Sequence, residues 1–229
     1  MPKNFDEYTD NYNSLVNNSI KFVGQSHDYY IRAKAPIISN YLANFSPRRM
    51  PDVLDIGCGI GLLHRHLPRE INLHGIDNSE LSIIEAGKYN SSFTYKFFDG
   101  KSIPYGDNTF DLVIMVCVLH HIQTINQQDI LHEIFRVLKP GGALILIEHN
   151  PFNLATRYVF NNCVLDLDAE LCYPRKVKTL LKSSGFFVNK LRYFLISPFS
   201  FNFLNFFERL FDRIPLGAQY YIIATKFKG

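Results

Sequence analysis

The sequence predicts an α/β fold in which helices cover both faces of a largely parallel sheet. Apolar runs typical of buried strands alternate with helical patterns from Val53 to Glu148, as expected for strand–helix–strand units. The first run, residues 53–56, leads directly into three glycines at alternate positions, Gly57, Gly59 and Gly61. These two observations place a glycine turn at the end of a central strand.

The glycine turn has the composition of a nucleotide-cofactor site. Glycines let the backbone take positive φ and let a ligand approach the main chain closely. A helical pattern follows at 62–67 and is ended by Pro68. The start of that predicted helix would offer free N–H groups to an anionic part of the ligand.

The spacing of the glycines and one neighbouring acid distinguish between cofactors. The turn reads G-x-G-x-G, whereas dinucleotide sites read G-x-G-x-x-G. Asp55 stands two residues before the first glycine, where its charge would repel a pyrophosphate. The carboxylate of Asp55 would instead attract the α-ammonium group of S-adenosylmethionine. Backbone N–H groups of the turn can bind the carboxylate of that cofactor. This argues against an NAD-dependent oxidoreductase and favours S-adenosylmethionine.

Two further acids follow the next two predicted strands. Asp77 ends the run 73–77, 20 residues after Gly57, the distance at which such a fold presents a carboxylate to a ribose. Asp77 could instead cap the next helix, but Ser79 and Asn78 are better placed for that role. Asp99 follows a third run, 94–98. Three acids after three successive strands are hard to explain as solvated surface.

Residues 51–148 resemble the class I S-adenosylmethionine-dependent methyltransferases, close to a bacterial branch of ubiquinone- and menaquinone-type enzymes. The glycine turn resembles their motif I, and 107–113 resembles their D-x-x-F-D-x-V strand. A Leu-His-His turn follows at 119–121, and a helix at 130–138 ends in Lys-Pro-Gly-Gly at 139–142. The resemblance implies a Rossmann-like seven-stranded sheet in the order 3-2-1-4-5-7-6 with the last strand antiparallel. Strands at 186–196 and 219–226 would close it.

The resemblance also implies which residues bind the cofactor. Asp99 matches the acid that accepts a hydrogen bond from the adenine amino group. Tyrosines of an N-terminal segment would fold over the cofactor as a lid, which excludes water from the reaction. The implied cofactor-binding residues are Asp55, Gly57, Cys58, Gly59, Gly61, Asp77, Asn78, Asp99, Gly100, Val116, Tyr8 and Tyr12.

Three histidines at predicted strand ends are candidates for a catalytic base. A neutral imidazole can deprotonate a hydroxyl near pH 7, and His149 is favoured because it lies beyond the cofactor half of the crevice. His120 and His121 could instead shape the turn and contact the cofactor. We expect no metal site, because His64 and His66 are separated by one residue on the predicted helix and point apart.

Length and composition favour one domain, 1–229, in a cytoplasmic protein. Hydrophobic residues make up 47% of the 229, enough for a sizeable core. The domain would comprise an N-terminal helical lid at 1–50, a cofactor-binding core at 51–150, and substrate-side elements with the closing strands at 151–229. The four cysteines form no C-x-x-C pair and are interpreted as reduced thiols. The N-terminus lacks the pattern of a signal peptide.

The C-terminal part is basic and rich in phenylalanine. From 174 to 229 there are ten basic residues against Glu208 and Asp212, and nine phenylalanines lie between Phe186 and Phe211. The uncharged stretch is shorter than the roughly 20 residues that span a bilayer. It therefore predicts peripheral membrane contact or a portal for a lipid substrate at 193–211. The alternative is that these rings pack on the sheet.

These observations favour methyl transfer to a small-molecule or lipid-linked acceptor. An RNA methyltransferase is an alternative, since the basic C-terminal part could contact phosphates, although no RNA-binding module is evident. A protein that binds S-adenosylmethionine without catalysis is a second alternative. No DNA partner is expected.

Overall fold

A computed structural model describes Asp6 and residues 12–20, 25–44, 49–196 and 210–227. Its centre is one seven-stranded sheet in the order β3-β2-β1-β4-β5-β7-β6, which confirms the predicted strand order. The strands are β1 (Asp52–Ile56), β2 (Asn72–Asp77), β3 (Thr94–Phe97), β4 (Phe110–Val116), β5 (Leu138–His149), β6 (Phe187–Phe194) and β7 (Gln219–Thr225).

The strands from the first part of the chain are parallel, and one strand from its C-terminal part runs antiparallel to its neighbours. The first five strands pair in parallel, β3 with β2, β2 with β1, β1 with β4 and β4 with β5. β7 lies antiparallel between β5 and β6, as predicted for the closing pair. The carboxyl ends of the five parallel strands therefore lie at one edge of the sheet, the usual edge for ligands in such folds.

Helices cover both faces of the sheet. Their bounds are α1 (Tyr12–Ile20), α2 (His27–Leu42), α3 (Glu80–Tyr89), α4 (Gln127–Val137), α5 (Leu154–Asn162) and α6 (Pro174–Ser183). The side chains of α4 and α6 belong to the core on one face. α2 packs on the other face through Ile31, Ala35, Ile38 and Leu42. Residues 25–44 of the predicted lid region thus form part of the main core.

The side chains of the central strands point alternately to the two faces of the sheet, and this explains why there are two cores. In β4, Val113 and Met115 face one core, while Leu112 and Ile114 face the other. All four side chains are completely buried, because successive residues of a strand point to opposite faces and helices cover both. Burying such a side chain contributes about 1.5–3 kcal/mol, so these strands form a stable frame for the loops at their ends.

The helix predicted at 62–67 is wrong: the structure has a four-residue 3-10 turn, Leu63–His66. Leu63 and Leu67 are buried in the core beside α2, and Pro68 prevents continuation of a helix. The buried side chain of His64 is hydrogen-bonded beneath the glycine turn. No α-helix N-terminus therefore follows the glycines.

The turn predicted at 139–142 lies instead within β5, which begins at Leu138 directly after α4. The register with β4 shifts between the pairs Phe110–Leu138 and Leu112–Ala143. The Lys-Pro-Gly-Gly segment is thus an irregularity within the strand, where the unpaired residues are accommodated. A side chain at Gly142 would meet the carbonyl oxygen of Lys139 at 2.9 Å.

The aromatic segment at 193–211 is described only at its two ends. Tyr193 and Leu195 are buried, and Leu210 is exposed. Residues 197–209 lie outside the described residues, as does Tyr8. In the described part, no helix is long and apolar enough to cross a membrane.

Candidate active site

Three glycines after β1 adopt a conformation that other residues avoid. Gly57, Gly59 and Gly61 have φ of 71°, 51° and 69°, in the left-handed region that glycine occupies without cost. The N–H groups of Gly57 and Cys58 donate to the carbonyl oxygen of Ile76 in β2 at 2.8 and 3.1 Å. A Cβ at Gly59 would meet no atom within 4 Å. The turn is therefore fixed to β2 and open on one side.

Asp77, the last residue of β2, holds this turn. Its Oδ2 accepts from the N–H of Gly59 at 2.7 Å, and its Oδ1 accepts from the N–H of Ser79 at 3.0 Å. Burial raises the pKa of Asp77, and the hydrogen bonds from these backbone groups oppose that effect. Ser79, as expected, is the residue that caps α3, accepting from the N–H of Ser82. The N–H of Asn78 also donates to the carboxylate of Asp77, so three backbone groups hold this side chain beside the glycine turn.

Asp55 forms a buried chain of hydrogen bonds that the sequence analysis did not predict. Its Oδ2 lies 2.8 Å from Nε2 of His64, whose Nδ1 lies 2.8 Å from the hydroxyl of Tyr95. Burial raises the pKa of Asp55, and His64 opposes that effect. The other oxygen, Oδ1, has no hydrogen-bond partner among the described residues. One oxygen thus orders the turn, and the other fits an additional donor such as an ammonium group.

Asp99 and Gly100 follow β3 at the same edge of the sheet. Asp99 Oδ1 accepts from the N–H groups of Lys101 and Ser102 at 2.8 and 3.1 Å, and these bonds lower its pKa. Gly100 has a φ of 80°, and a Cβ there would meet nothing within 4 Å. The carboxylate is thus oriented by a short turn and remains exposed to a ligand.

Three more of the predicted cofactor residues lie in the same region. Cys58 belongs to the glycine turn, Asn78 follows β2, and Val116 ends β4. Tyr12 is placed only as the first residue of α1. The structure therefore brings the predicted residues of the β1–β4 segments to the carboxyl ends of those strands. Their open glycines, the unpartnered Asp55 oxygen and the exposed Asp99 fit the amino acid, ribose and adenine parts of S-adenosylmethionine.

An N-terminal acid also reaches this edge of the sheet. Asp6 Oδ1 accepts from the hydroxyl of Ser79 at 2.6 Å and from the N–H of Leu81 at 3.2 Å. Negative charge at the N-terminus of α3 is favourable because free N–H groups converge there. The sequence analysis missed this contact, since Asp6 lies 73 residues from Ser79 and no local pattern joins them.

A cavity of about 260 Å³ begins at the turn after β4. Cys117 lines it directly after β4, while the next residue, Val118, borders the glycines: a Cβ at Gly57 would lie 2.4 Å from its Cγ2. Further walls come from α1, α2 and α5. Apolar side chains among the lining residues are Val16, Ile20, Val159, Phe160, Leu165, Leu195 and Ile196.

The three candidate histidines meet in this cavity. The ring centroids of His120 and His121 are 4.1 Å apart, and those of His120 and His149 are 5.1 Å apart. His120 Nδ1 lies 2.6 Å from Oε2 of Glu148. Asp166, from a 3-10 turn after α5, lies on the other side of the His120 ring. The sequence analysis singled out the histidines but neither of these acids.

Charges within the cluster give the histidines different protonation states. Burial alone would lower the pKa of His120, but the carboxylates of Glu148 and Asp166 raise it to about 10. Burial and the neighbouring His120 lower the pKa of His149 to about 4 and that of His121 to about 3. His120 therefore keeps its proton near neutral pH and is a poor base. His149 and His121 are neutral near pH 7, and their lowered pKa values make them weaker bases than an exposed histidine.

Polar groups from α2 and β7 complete the cavity. Lys34 is buried and lines it. Gln219 Nε2 lies 3.5 Å from His149 Nδ1, while Oε1 of Gln219 has no hydrogen-bond partner among the described residues. A second molecule with a polar group could therefore bind beside the histidines.

Comparisons with known proteins agree with this geometry. The model of a family described as a methyltransferase domain matches residues 54–146. A demethylmenaquinone methyltransferase of Symbiobacterium thermophilum is 29% identical over 168 residues, which cover 68% of this chain and 62% of that protein. A sterol 24-C-methyltransferase of Kluyveromyces lactis is 30% identical over 130 residues, 53% of this chain and 32% of that protein. The chain thus spans less than two thirds of each.

Among solved structures, a similar fold occurs in a SAM-dependent methyltransferase from Archaeoglobus fulgidus. The TM-score is 0.69 at 20% identity, covering 94% of this chain and 100% of that one. Residues 54–146 thus match a methyltransferase-domain family, and the chain has the fold of an S-adenosylmethionine-dependent methyltransferase. This confirms the predicted domain type and the predicted cofactor, S-adenosylmethionine.

Proposed function

Starting from the methyltransferase domain at 54–146, we propose that this chain transfers a methyl group from S-adenosylmethionine to an acceptor in the histidine-lined cavity. One observation supports the proposal: the turn after β4 borders the glycine turn through Val118 and the cavity through Cys117. Donor and acceptor would meet across this turn. As part of the same proposal, this chain is related to the bacterial quinone-type methyltransferases.

The cofactor would be held by the acids and glycines at the strand ends. Asp77 would accept hydrogen bonds from the ribose hydroxyls, and Asp99 one from the adenine amino group. Asp55 Oδ1 would accept one from the α-ammonium, for which charge attraction adds to the hydrogen bond. S-adenosylmethionine, when bound, supplies a methyl group activated by a positively charged sulfur.

The cavity would position the acceptor and accept its proton. Alignment of two reactants lowers the barrier because the bound pair no longer has to lose its freedom of motion. The neutral imidazole of His149 would take a proton from a hydroxyl, thiol or amine acceptor. The closely packed apolar walls would exclude water from the reaction.

We propose further that the acceptor is a small apolar or lipid-linked molecule. Nine apolar side chains line the cavity, the seven named above together with Ala155 and Ala218, so it would bind a hydrophobic group better than a charged one. The two curated relatives support this class, since their names describe enzymes for demethylmenaquinone and a sterol. Contact of 193–211 with a membrane would bring the enzyme to such an acceptor.

Calorimetric titration tests cofactor binding. S-adenosylmethionine and its demethylated product should bind the unmodified chain, and Asp77→Ala should weaken binding by at least ~1.5 kcal/mol, the loss of a charge-assisted hydrogen bond. The matched control is Asp168→Ala, which removes an exposed carboxylate that is not part of the glycine turn. Equal affinity in wild type and Asp77→Ala, or tighter binding of NAD, would contradict the proposal.

Co-sedimentation with anionic vesicles tests the membrane contact. Wild type should sediment with the vesicles at low salt, because basic residues flank the aromatic segment. A variant with Phe201, Phe203 and Phe206 changed to Ser should remain in the supernatant. If wild-type protein stays in the supernatant, membrane contact is contradicted. The acceptor would then be a molecule that diffuses freely to the enzyme.

A further inference from the structure

Three side chains in the cavity present ligand atoms at distances that suit a metal ion. Nε2 of His120 and Nε2 of His121 each lie 3.5 Å from Oδ1 of Asp166. One possible ligand atom from each of the three residues lies within 4.8 Å of the other two. At 3.5 Å each pair is a long and weak hydrogen bond at most. This separation is close to the edge of a tetrahedron around zinc, roughly 3.3–3.4 Å for metal–ligand bonds of about 2.0–2.1 Å.

Glu148 orients the first of these ligands. Its Oε2 lies 2.6 Å from Nδ1 of His120, which leaves Nε2 as the ring atom directed toward Asp166. A carboxylate bonded to the far nitrogen of a histidine is the usual outer partner of a metal-binding imidazole, fixing the ring and strengthening the ligand. In addition, the N–H of Glu170 donates to the carbonyl oxygen of His120 at 3.0 Å, joining the two segments that carry the ligands.

We propose that His120, His121 and Asp166 bind one divalent transition-metal ion of the zinc type. Two imidazoles and one carboxylate suit zinc and its neighbours, whereas Mg²⁺ and Ca²⁺ prefer sites built from oxygen atoms. Three protein ligands leave a fourth position open, as in catalytic zinc sites. The histidines were considered as bases in the sequence analysis, which missed this site because Asp166 is remote in the sequence and follows no ligand spacing.

All three ligand residues line the cavity that we assign to the acceptor. A metal ion there would hold an oxygen, sulfur or nitrogen atom of the acceptor and make its proton easier to remove. This role rests on the proposed methyl transfer, whereas binding of the ion does not. A proton competes with the metal ion for the His120 ring, since the carboxylates of Glu148 and Asp166 also stabilise a positively charged His120.

Metal titration of the full chain after treatment with a chelator tests the proposal. Zn²⁺ should bind with a stoichiometry of one by calorimetry, and Co²⁺ should give the intense visible absorption of a tetrahedral site, while Mg²⁺ gives no binding heat. His121→Ala and Asp166→Asn should each weaken Zn²⁺ binding at least 100-fold, because loss of an outer partner alone costs about 10–100-fold. Asp168→Asn, an exposed carboxylate two residues from Asp166, should bind like wild type.

Circular dichroism and thermal melting of each variant identify any that fail to fold, and two independent ligand variants are therefore used. Absence of stoichiometric Zn²⁺ and Co²⁺ binding by wild type would overturn the proposal. Equal binding by His121→Ala, Asp166→Asn and Asp168→Asn would also overturn it, since the ion would then lie elsewhere. S-adenosylmethionine titrated separately into wild type tests the proposed function, so the two can fail independently.

Discussion

Glu148 Oε2 and His120 Nδ1 are 2.6 Å apart, and their side chains are 0% and 1% exposed. The pair joins the end of β5 to the turn after β4, which separates the glycine turn from the cavity. The pKa of Glu148 is lowered despite its burial, because the positive charge of His120 faces it. A buried ion pair of this kind specifies the position of both segments, and removal of either partner leaves a buried charge uncompensated.

Glu148→Ala should destabilise the fold by about 3–5 kcal/mol, the usual cost of breaking a buried pair. Glu148→Gln should cost less, since an amide oxygen can still accept from Nδ1 of His120. Urea unfolding at neutral pH measures both effects. Glu70→Ala, which removes an exposed carboxylate, is the control, and a cost for Glu148→Ala no greater than that of the control would contradict the ion pair.

Substitutions in the glycine turn should separate backbone strain from contact with the cofactor. Gly59→Ala should lower the free energy of unfolding by about 1–2 kcal/mol, the cost of placing alanine at a left-handed φ. No further cost is expected, because a Cβ at this position meets no atom within 4 Å. Gly57→Ala adds a clash with Val118 and should cost about 1–3 kcal/mol more. If the open side of Gly59 is the cofactor side, Gly59→Ala should nevertheless bind S-adenosylmethionine more weakly.

Urea unfolding and calorimetric titration of the two glycine variants provide the comparison. Unchanged cofactor affinity in Gly59→Ala would place the cofactor away from that side of the turn. Equal stability of Gly57→Ala and Gly59→Ala would show that Val118 moves aside without cost.

His64→Ala should destabilise the protein by about 3–5 kcal/mol, since it leaves the buried carboxylate of Asp55 without its partner. The double variant His64→Ala with Asp55→Asn should recover part of this loss, because the buried group is then neutral. Urea unfolding of the two single variants and the double variant forms a cycle that measures the coupling. His132→Ala, at an exposed position of α4, is the control, and strictly additive costs would show that the two side chains do not depend on each other.

Local patterns in the sequence predicted the strands and the cap of α3 because alternating hydrophobicity and turn residues act over short distances. The resemblance supplied the strand order, which periodicity alone does not determine. The contacts of His64 with Asp55, Asp6 with Ser79 and Asp166 with the histidines join residues that are remote in sequence or unrelated to any motif. The 3-10 turn at Leu63–His66 was mistaken for a helix because its apolar spacing also fits helical packing.

Stability should fall as the pH decreases from about 6.5 toward 4, with His27 as one cause. Burial and the charge of Lys34 lower the pKa of His27 to about 4 from its ordinary value of 6.5. The unfolded chain therefore binds more protons than the folded chain in this interval, and protonation favours unfolding. His121 and His149 shift in the same direction, whereas the stabilising charge of His120 is fully present here and is lost only as the pH rises toward 10.

His27→Gln removes one titrating group without adding a charge. Urea unfolding at pH 7.5 and 4.5 should show that wild type loses roughly 1–2 kcal/mol more than this variant over the interval, a figure reduced for the partial exposure of His27 to solvent. The control His132→Gln changes an exposed histidine and should retain the wild-type loss. An identical pH dependence in wild type and His27→Gln would mean that His27 titrates normally, and the acid sensitivity would then lie with the cavity histidines.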